Sequence, residues 1–379
     1  MRIGSDRNRK KPLLGIGIVG TGFGRIAHVP AFLAVEGAQL IGVASARPER
    51  AREVAAEFSL PRFFSSWQEM IASPQIQAVS ITTPPALHQE IATAALEAGK
   101  AVLCEKPLAL NAAQAERLLQ AARRSGKAHL TSFVFREIPA MQQARLLLKS
   151  RALGRLRHVK ITWLTSGGAD PARPWSWRSD KLQGGGVLHA RGVHVLDYVE
   201  WLAGPIRSLA AHLSVRIASR PDSDGRQRAV TGPDCCQLLM ELHDETPVIL
   251  TLSSVAPADG GHWIEFFGEK KTMRVGTGDP RDYEKGFSVW IGEPGSKRLR
   301  RFPVPAPLRF ERTFRTSGVA PLRMLAQRLV DAAQGKIRNP RPSFEDGFRA
   351  QLLIDSAFQS MEKNQCWIDV PDPVPASVP

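Results

Sequence analysis

The chain has 379 residues, of which 43% are hydrophobic and 23% charged; the length predicts two or three domains at about 100–200 residues each, and the composition excludes disorder, collagen and coiled coil as global descriptions. No stretch reaches the ~20 apolar residues of a bilayer span, and the apolar run Leu13–Val19 is cut by Gly15 and Gly17 and enters a glycine motif instead of a cleavage site, so neither membrane span nor signal peptide is expected. The net charge of +15 concentrates only at Arg2, Arg7, Arg9, Lys10 and Lys11 and at Lys297–Arg301, outside any nucleic-acid-binding pattern, so it reads as solvated surface with no nucleic-acid partner.

The first third alternates short apolar runs with helical segments. Leu14–Gly20 reads as a strand followed by a helix-like stretch to Val35, and Ala38–Ser45 as a strand before a helix over Pro48–Phe58. Ala78–Thr82 leads to a helix from Pro85 to Ala98, stopped by Gly99, and Ala101–Glu105 to a helix over Asn111–Ser125 with Asn111 as N-cap. His129–Phe133 closes the series, and this rhythm predicts a parallel, doubly wound sheet. After Phe135 come a helix over Ile138–Ser150, a strand near Arg157–Trp163, a loop rich in Gly, Pro and Trp, and a helix over Val187–Leu202. Runs at 206–219, 235–242, 248–254, 262–267, 272–275 and 287–291 follow without intervening helices, which predicts an antiparallel or mixed sheet. Helices over 320–335 and 344–363 precede a Pro-rich tail. The expected plan is α/β: a basic tail (1–12), a Rossmann domain (13–135), an α+β domain with an open, mostly antiparallel sheet (136–370) and the tail (371–379).

Gly20-Thr21-Gly22-Phe23-Gly24-Arg25 lies between the first strand and the first helix. Gly20 permits a tight turn, and Gly22 lets the backbone approach a pyrophosphate at the helix N-terminus; Arg25 stands where the fingerprint has its third small residue. An acidic residue at the end of the second strand binds the ribose of NAD. Here the run is Ser45-Ala46-Arg47-Pro48-Glu49-Arg50. A hydroxyl and the guanidiniums of Arg47 and Arg50 suit a 2′-phosphate, so NADP(H) is expected over NAD(H), the alternative being that Glu49 reaches the ribose. Four cysteines, with Cys235 and Cys236 adjacent, make no disulfide framework, as in a reducing cytoplasm, and no His, Cys and carboxylate set has metal-ligand spacing.

Three further segments carry chemistry. Thr82-Thr83-Pro84-Pro85, followed by His88, ends one strand; Cys104-Glu105-Lys106-Pro107 ends the next; Gly184-Gly185-Gly186 precedes Gly192, His194 and Asp197. With the glycine turn, Phe135-Arg136, Pro139, Trp177-Arg178 and Phe344-Glu345-Asp346-Gly347, the chain resembles the glucose–fructose oxidoreductase / inositol dehydrogenase / MocA (Gfo/Idh/MocA) family over most of its length. The resemblance implies nicotinamide redox chemistry on a sugar or cyclitol hydroxyl, and homo-oligomers formed through the second sheet. It also implies cofactor contacts from Trp177 and Arg178 and an active-site role for His194.

Ligands of open α/β sheets bind beyond the carboxyl ends of the strands, which places Thr82, Thr83, Pro84, Pro85, Glu105 and Lys106 at the cofactor. Lys106, with a pKa lowered by partial burial, is the expected proton donor or acceptor for the substrate oxygen, with His194 as the second. His88 is expected to hydrogen-bond cofactor or backbone, and His28 to pack within its helix. Asp197 either orients His194 or caps structure. Arg136 either meets substrate or pairs with an acid such as Glu137. The family's aspartate four residues before the histidine is replaced by Ala190, and His189 lies about 100° away around the helix. This departure leaves open a different substrate or a non-catalytic nucleotide-binding protein; glycoside processing with a retained NAD is a further alternative.

Overall fold

The computed structural model describes residues 13–279, 282 and 286–372; the expected basic tail over 1–12, and all but the first two residues of the expected tail over 371–379, lie outside the described residues. Strands β1 (Leu14–Val19), β2 (Ala38–Ala44), β3 (Arg62–Phe64), β4 (Ala78–Ile81), β5 (Ala101–Cys104) and β6 (His129–Thr131) form a parallel sheet in the order β3-β2-β1-β4-β5-β6. Helices α1 (Val29–Phe32), α2 (Pro48–Glu57), α3 (Trp67–Ala72), α4 (His88–Glu97) and α5 (Ala112–Ser125) connect them. Because β1 is the strand from which the order runs both ways, the crevice between β1 and β4 is the switch point where open sheets bind ligands.

Local chemistry explains the boundaries. Pro30 has no N–H for a helical bond to the preceding turn, and α1 is entered through a wide π-type turn, Gly24–His28. Asn111 caps α5 by accepting from Gln114 N at 2.9 Å, and Gly126 ends it with φ 61°. β3 and α3 go beyond the expected elements. The start of α3 carries a local signal, since Ser66 Oγ accepts from Glu69 N at 3.1 Å, but three residues of strand are too short to display a period.

The second sheet has nine strands: β7 (Leu156–Leu164), β8 (Ile206–Ser214), β11 (Cys235–Leu242), β12 (Pro247–Ser253), β13 (Gly261–Gly268), β14 (Thr272–Thr277), β15 (Ser288–Gly292), β16 (Arg300–Phe302) and β17 (Ile368–Asp369). Its order is β16-β15-β14-β13-β7-β12-β11-β8-β17, antiparallel except between β7 and β12. The run expected over 206–219 stops at Ser214, because Asp234 accepts from the N–H groups of Arg216 (2.8 Å) and Ile217 (2.9 Å) and turns the chain away. It resumes as a hairpin of β9 (Ser219–Pro221) and β10 (Gln227–Ala229).

Helices α6 (Pro139–Lys149), α7 (Val193–Ala203) and α9 (Phe344–Glu362) cover one face of this sheet, α7 entered through a second π-type turn, Leu188–Gly192. Leu196, Tyr198, Leu353 and Ile354 pack there on Ile161, Leu238 and Leu250. On the other face Leu239 and Ile249, directly paired across β11 and β12, stay 49% and 50% exposed. Helix α8 (Val319–Ala333) returns to the first sheet, where Leu322, Ala326 and Leu329 share a core with Val29, Phe32 and Leu103. Among the described residues no helix is long and apolar enough to cross a membrane.

Candidate active site

The carboxyl ends of β1, β4 and β5 lie side by side, with Val19 paired to Ile81 and Ile81 to Cys104. At ~4.8 Å between strands, the glycine turn after β1 and Lys106 after β5 stand roughly 10 Å apart across the sheet. That span suits a dinucleotide running from its pyrophosphate to its nicotinamide. The turn is held by Thr82, whose Oγ1 lies 3.1 Å from Val19 O and 3.0 Å from Gly20 O.

Gly20 has φ 109°, and a Cβ there would meet Thr82 Oγ1 at 2.5 Å; one on Gly24 would meet the same atom at 2.8 Å. A Cβ on Gly22 would meet nothing within 4 Å, so its backbone faces open space. No side chain caps the start of the Gly24–His28 turn, which Phe23 precedes, leaving backbone donors for an anion. The residues present therefore fit a dinucleotide.

At the end of β2, Thr21 Oγ1 donates to Ser45 Oγ at 3.2 Å, and Arg47 N donates to the same oxygen at 3.2 Å. Arg47 and Arg50 are exposed at the start of α2. Arg25 is engaged elsewhere: its guanidinium forks onto Glu57 at 2.6 and 3.0 Å.

The loops after β4 and β5 are tied together by His88, whose ring nitrogens lie 2.9 Å from the carbonyl oxygens of Thr83 and Pro107. This buried histidine thus lies between two backbone carbonyls; burial lowers its pKa, and the neutral ring donates to one of them. Thr83 Oγ1 is buried without a hydrogen-bond partner among the described residues. Pro85 packs under the glycine triplet; a Cβ on Gly184 would meet its side chain at 3.2 Å.

Glu105 is buried, which opposes its ionisation, but the hydrogen bond and charge of His28, the charge of Lys106 and the Ser132 hydroxyl hold its carboxyl below the usual value. His28, expected as simple packing, is instead a polar link. Its Nε2 is 3.1 Å from Glu105 Oε1 and its Nδ1 is 2.8 Å from Ser80 Oγ. Because a carboxylate only accepts, Nε2 donates in that bond, and Nδ1 hydrogen-bonds the serine hydroxyl. The sequence signal for this pairing is the presence of a carboxylate at a buried strand end, which requires a partner.

Lys106 is partly buried, and its Nζ donates to the main-chain carbonyl of Ala190 at 2.9 Å. The acceptor lies in the wide turn that leads into α7, the kind of helix irregularity frequent at functional sites. Burial lowers the Lys106 pKa; Glu105 opposes this, while the Arg178 and Arg191 charges add to it. Trp177 and Arg178 stack on each other, the guanidinium carbon 4.6 Å from the ring centre.

His194 lies buried between Phe133 (6.1 Å between ring centres) and Phe135 (4.8 Å). Burial, then the charge of Lys106 and then His262, keep it well below the ordinary histidine pKa, and its Nδ1 has no hydrogen-bond partner among the described residues. His189 turns elsewhere: its Nδ1 is 3.1 Å from Gly185 O and its ring stacks on Phe358. Arg136 and Asp197 bind each other, with NH2–Oδ1 at 2.6 Å and Nε–Oδ2 at 3.0 Å, and Arg136 also reaches Asp346 at 3.0 Å. Glu137 takes Arg328, not Arg136. Arg136 and Asp197 line a cavity whose walls include neither Lys106 nor His194.

Residues 14–133 match the oxidoreductase family with an NAD-binding Rossmann fold, and residues 141–274 match the GFO/IDH/MocA C-terminal domain. The chain is 36% identical to an uncharacterized oxidoreductase of Synechocystis sp., over 96% of this chain and 98% of that protein. It is 29% identical to levoglucosan dehydrogenase of Pseudarthrobacter phenanthrenivorans, over 94% of this chain and 98% of that enzyme. A solved levoglucosan dehydrogenase in complex with NADH and levoglucosan superposes with a TM-score of 0.84 at 27% identity, covering 95% of this chain and 100% of that one.

Proposed function

This chain belongs to the Gfo/Idh/MocA oxidoreductase family, and from that membership we propose that it is an NADP(H)-dependent oxidoreductase acting on a carbinol or carbonyl carbon of a sugar-like, polyhydroxylated substrate. The observation that carries the reading is the Lys106 ammonium, anchored on Ala190 O at 2.9 Å beside His194. A bound nicotinamide would take or give the hydride. The proton on the substrate oxygen then has to move, and in this reading Lys106 takes it in oxidation and returns it in reduction. Its lowered pKa brings the amine closer to that exchange at neutral pH. His194, kept uncharged by burial, serves as a hydrogen-bond partner to the same oxygen and not as a second cation.

Glycine turn, Thr82, Thr83, Pro84, Pro85 and the Trp177-Arg178 pair are assigned to the cofactor. Arg136 and Asp197 are assigned to positioning α7, since they form a two-pronged ion pair with each other and Arg136 also reaches Asp346. The preference for NADP(H) over NAD(H) rests on exposed Arg47 and Arg50 beside Ser45 and on the lack of a carboxylate at the end of β2. The related levoglucosan dehydrogenase described with NADH sets the contrary expectation that titration must decide. Loss of the family aspartate at Ala190 does not leave Lys106 without an anchor, because the backbone carbonyl at that position receives it. The open face carrying Leu239 and Ile249 is the proposed homo-oligomer surface, and the protein is proposed to act in the cytoplasm.

The test is steady-state turnover of wild type and Lys106→Met over a panel of sugars and cyclitols with NADP and NAD. Loss of a positioned acid–base group lowers kcat by roughly 10²–10⁴-fold, with cofactor binding retained. Near-equal rates would remove Lys106 from the chemistry.

A further inference from the structure

A second cavity, of about 680 Å³, lies between α6, α7, α9 and the 337–342 loop. Helix α7 joins it to the active site: His194 stands on one turn, and Asp197, in the cavity wall, on the next. Six arginines and four carboxylates line the cavity, and Glu345 just outside the wall pairs with Arg341, so the network carries one positive charge in excess.

The ion pairs account for most of these groups. Arg136 is held by Asp197 and Asp346, Arg328 by Glu137, Arg349 by Glu200, and Arg341 by Asp346 and Glu345. The two remaining wall arginines, Arg145 and Arg338, make no ion pair among the described residues. The Arg145 guanidinium carbon lies 4.4 Å from the Trp201 ring centre, and its Nε is buried without a hydrogen-bond partner among the described residues. Arg338 is exposed beside Asn339, which takes the left-handed conformation at φ 50°.

We propose that this cavity binds a compact phosphate monoester or inorganic phosphate, with Arg145 and Arg338 as its two ligand cations. A phosphoryl group carries about −1.5 to −2 charges at pH 7, which the two arginines without an acidic partner would meet, and its oxygens accept the paired N–H groups of a guanidinium. The Trp201 ring supports the Arg145 guanidinium at the cavity wall. The ion-paired arginines hold the wall in place and neutralise the carboxylates that would otherwise repel the anion.

The test is calorimetric titration of the full-length protein with inorganic phosphate in saturating NADPH, which keeps phosphate from the glycine turn, against sodium chloride of equal ionic strength. The expected result is saturable binding at millimolar phosphate. It weakens about tenfold or more in Arg145→Gln/Arg338→Gln, because each substitution removes a charge-assisted contact. Arg145→Lys, which keeps the charge and loses the fork, is expected to be intermediate, with unchanged melting temperature marking intact folding. No saturable binding by wild type, or equal affinity in the double variant, overturns the proposal. Should the protein bind no NADPH, the cofactor assignment fails, while the difference between wild type and the double variant still decides this site.

Discussion

Replacing Gly22 by alanine separates a cofactor cradle from an ordinary tight turn. In the folded protein the added methyl meets nothing within 4 Å, and Gly22 is not among the glycines with positive φ. The substitution therefore carries no steric cost, and restriction of the unfolded chain stabilises the protein by about 0.4–1 kcal/mol. Gly20→Ala is the opposite case. With φ at 109° and Thr82 Oγ1 at 2.5 Å, strain alone costs about 1–3 kcal/mol. If the space over Gly22 receives a pyrophosphate, the methyl holds that group off the backbone donors. A weakening of about 10- to 100-fold, or roughly 1.4–2.7 kcal/mol, follows from losing one or two close contacts. Thermal melting paired with NADPH fluorescence titration reads both quantities. Gly22→Ala should melt at or above the wild-type temperature and bind poorly; Gly20→Ala should melt lower. Unchanged NADPH affinity in a stable Gly22→Ala protein would refute the cradle.

The pH dependence of kcat/KM in the oxidation direction should rise through one inflection below 10.5, because Lys106 must be unprotonated to accept a proton and its pKa is lowered. Glu105→Gln removes the charge that favours the ammonium and moves the inflection down; Ala190→Asp adds one beside it and moves the inflection up. An inflection indifferent to both would belong to another group. His194, already well below 6.5, should contribute no inflection near neutrality, which a His194→Gln profile checks. Arg47→Ala/Arg50→Ala should weaken NADPH about tenfold or more and leave NADH nearly unchanged, and equal losses for both cofactors would discard the 2′-phosphate assignment. Arg136→Met leaves Asp197, with only 2% of its side chain exposed, without its main counter-charge. It should cost about 3–5 kcal/mol in urea denaturation, whereas a loss below about 1 kcal/mol would show the pair to be dispensable.

The doubly wound first domain was legible because its signals are local: alternation of apolar runs with capped helices, a glycine turn joining strand to helix, and Glu105-Lys106-Pro107 at a strand end. Each needs only a few consecutive residues and the periods of helix and strand. β3 escaped because three residues carry no period, and the early end of β8 because Asp234, twenty residues on, bends the chain. The site was legible as a set of residue types, and the partners of those residues were not. Ala190 read as a missing carboxylate, yet its carbonyl, which any residue there supplies, meets Lys106 from 84 positions away. His28 read as packing until β4 and β5 brought Ser80 and Glu105 against it, and Arg136 met Asp197 and not its neighbour Glu137. Backbone acceptors and ion-pair partners depend on which strands lie side by side and on the register between them. The His28 contacts close when the first sheet forms, and the Lys106–Ala190 contact only when both domains pack; most elements and the residue types of the site can be read from local sequence, whereas which groups face one another follows from the packed fold.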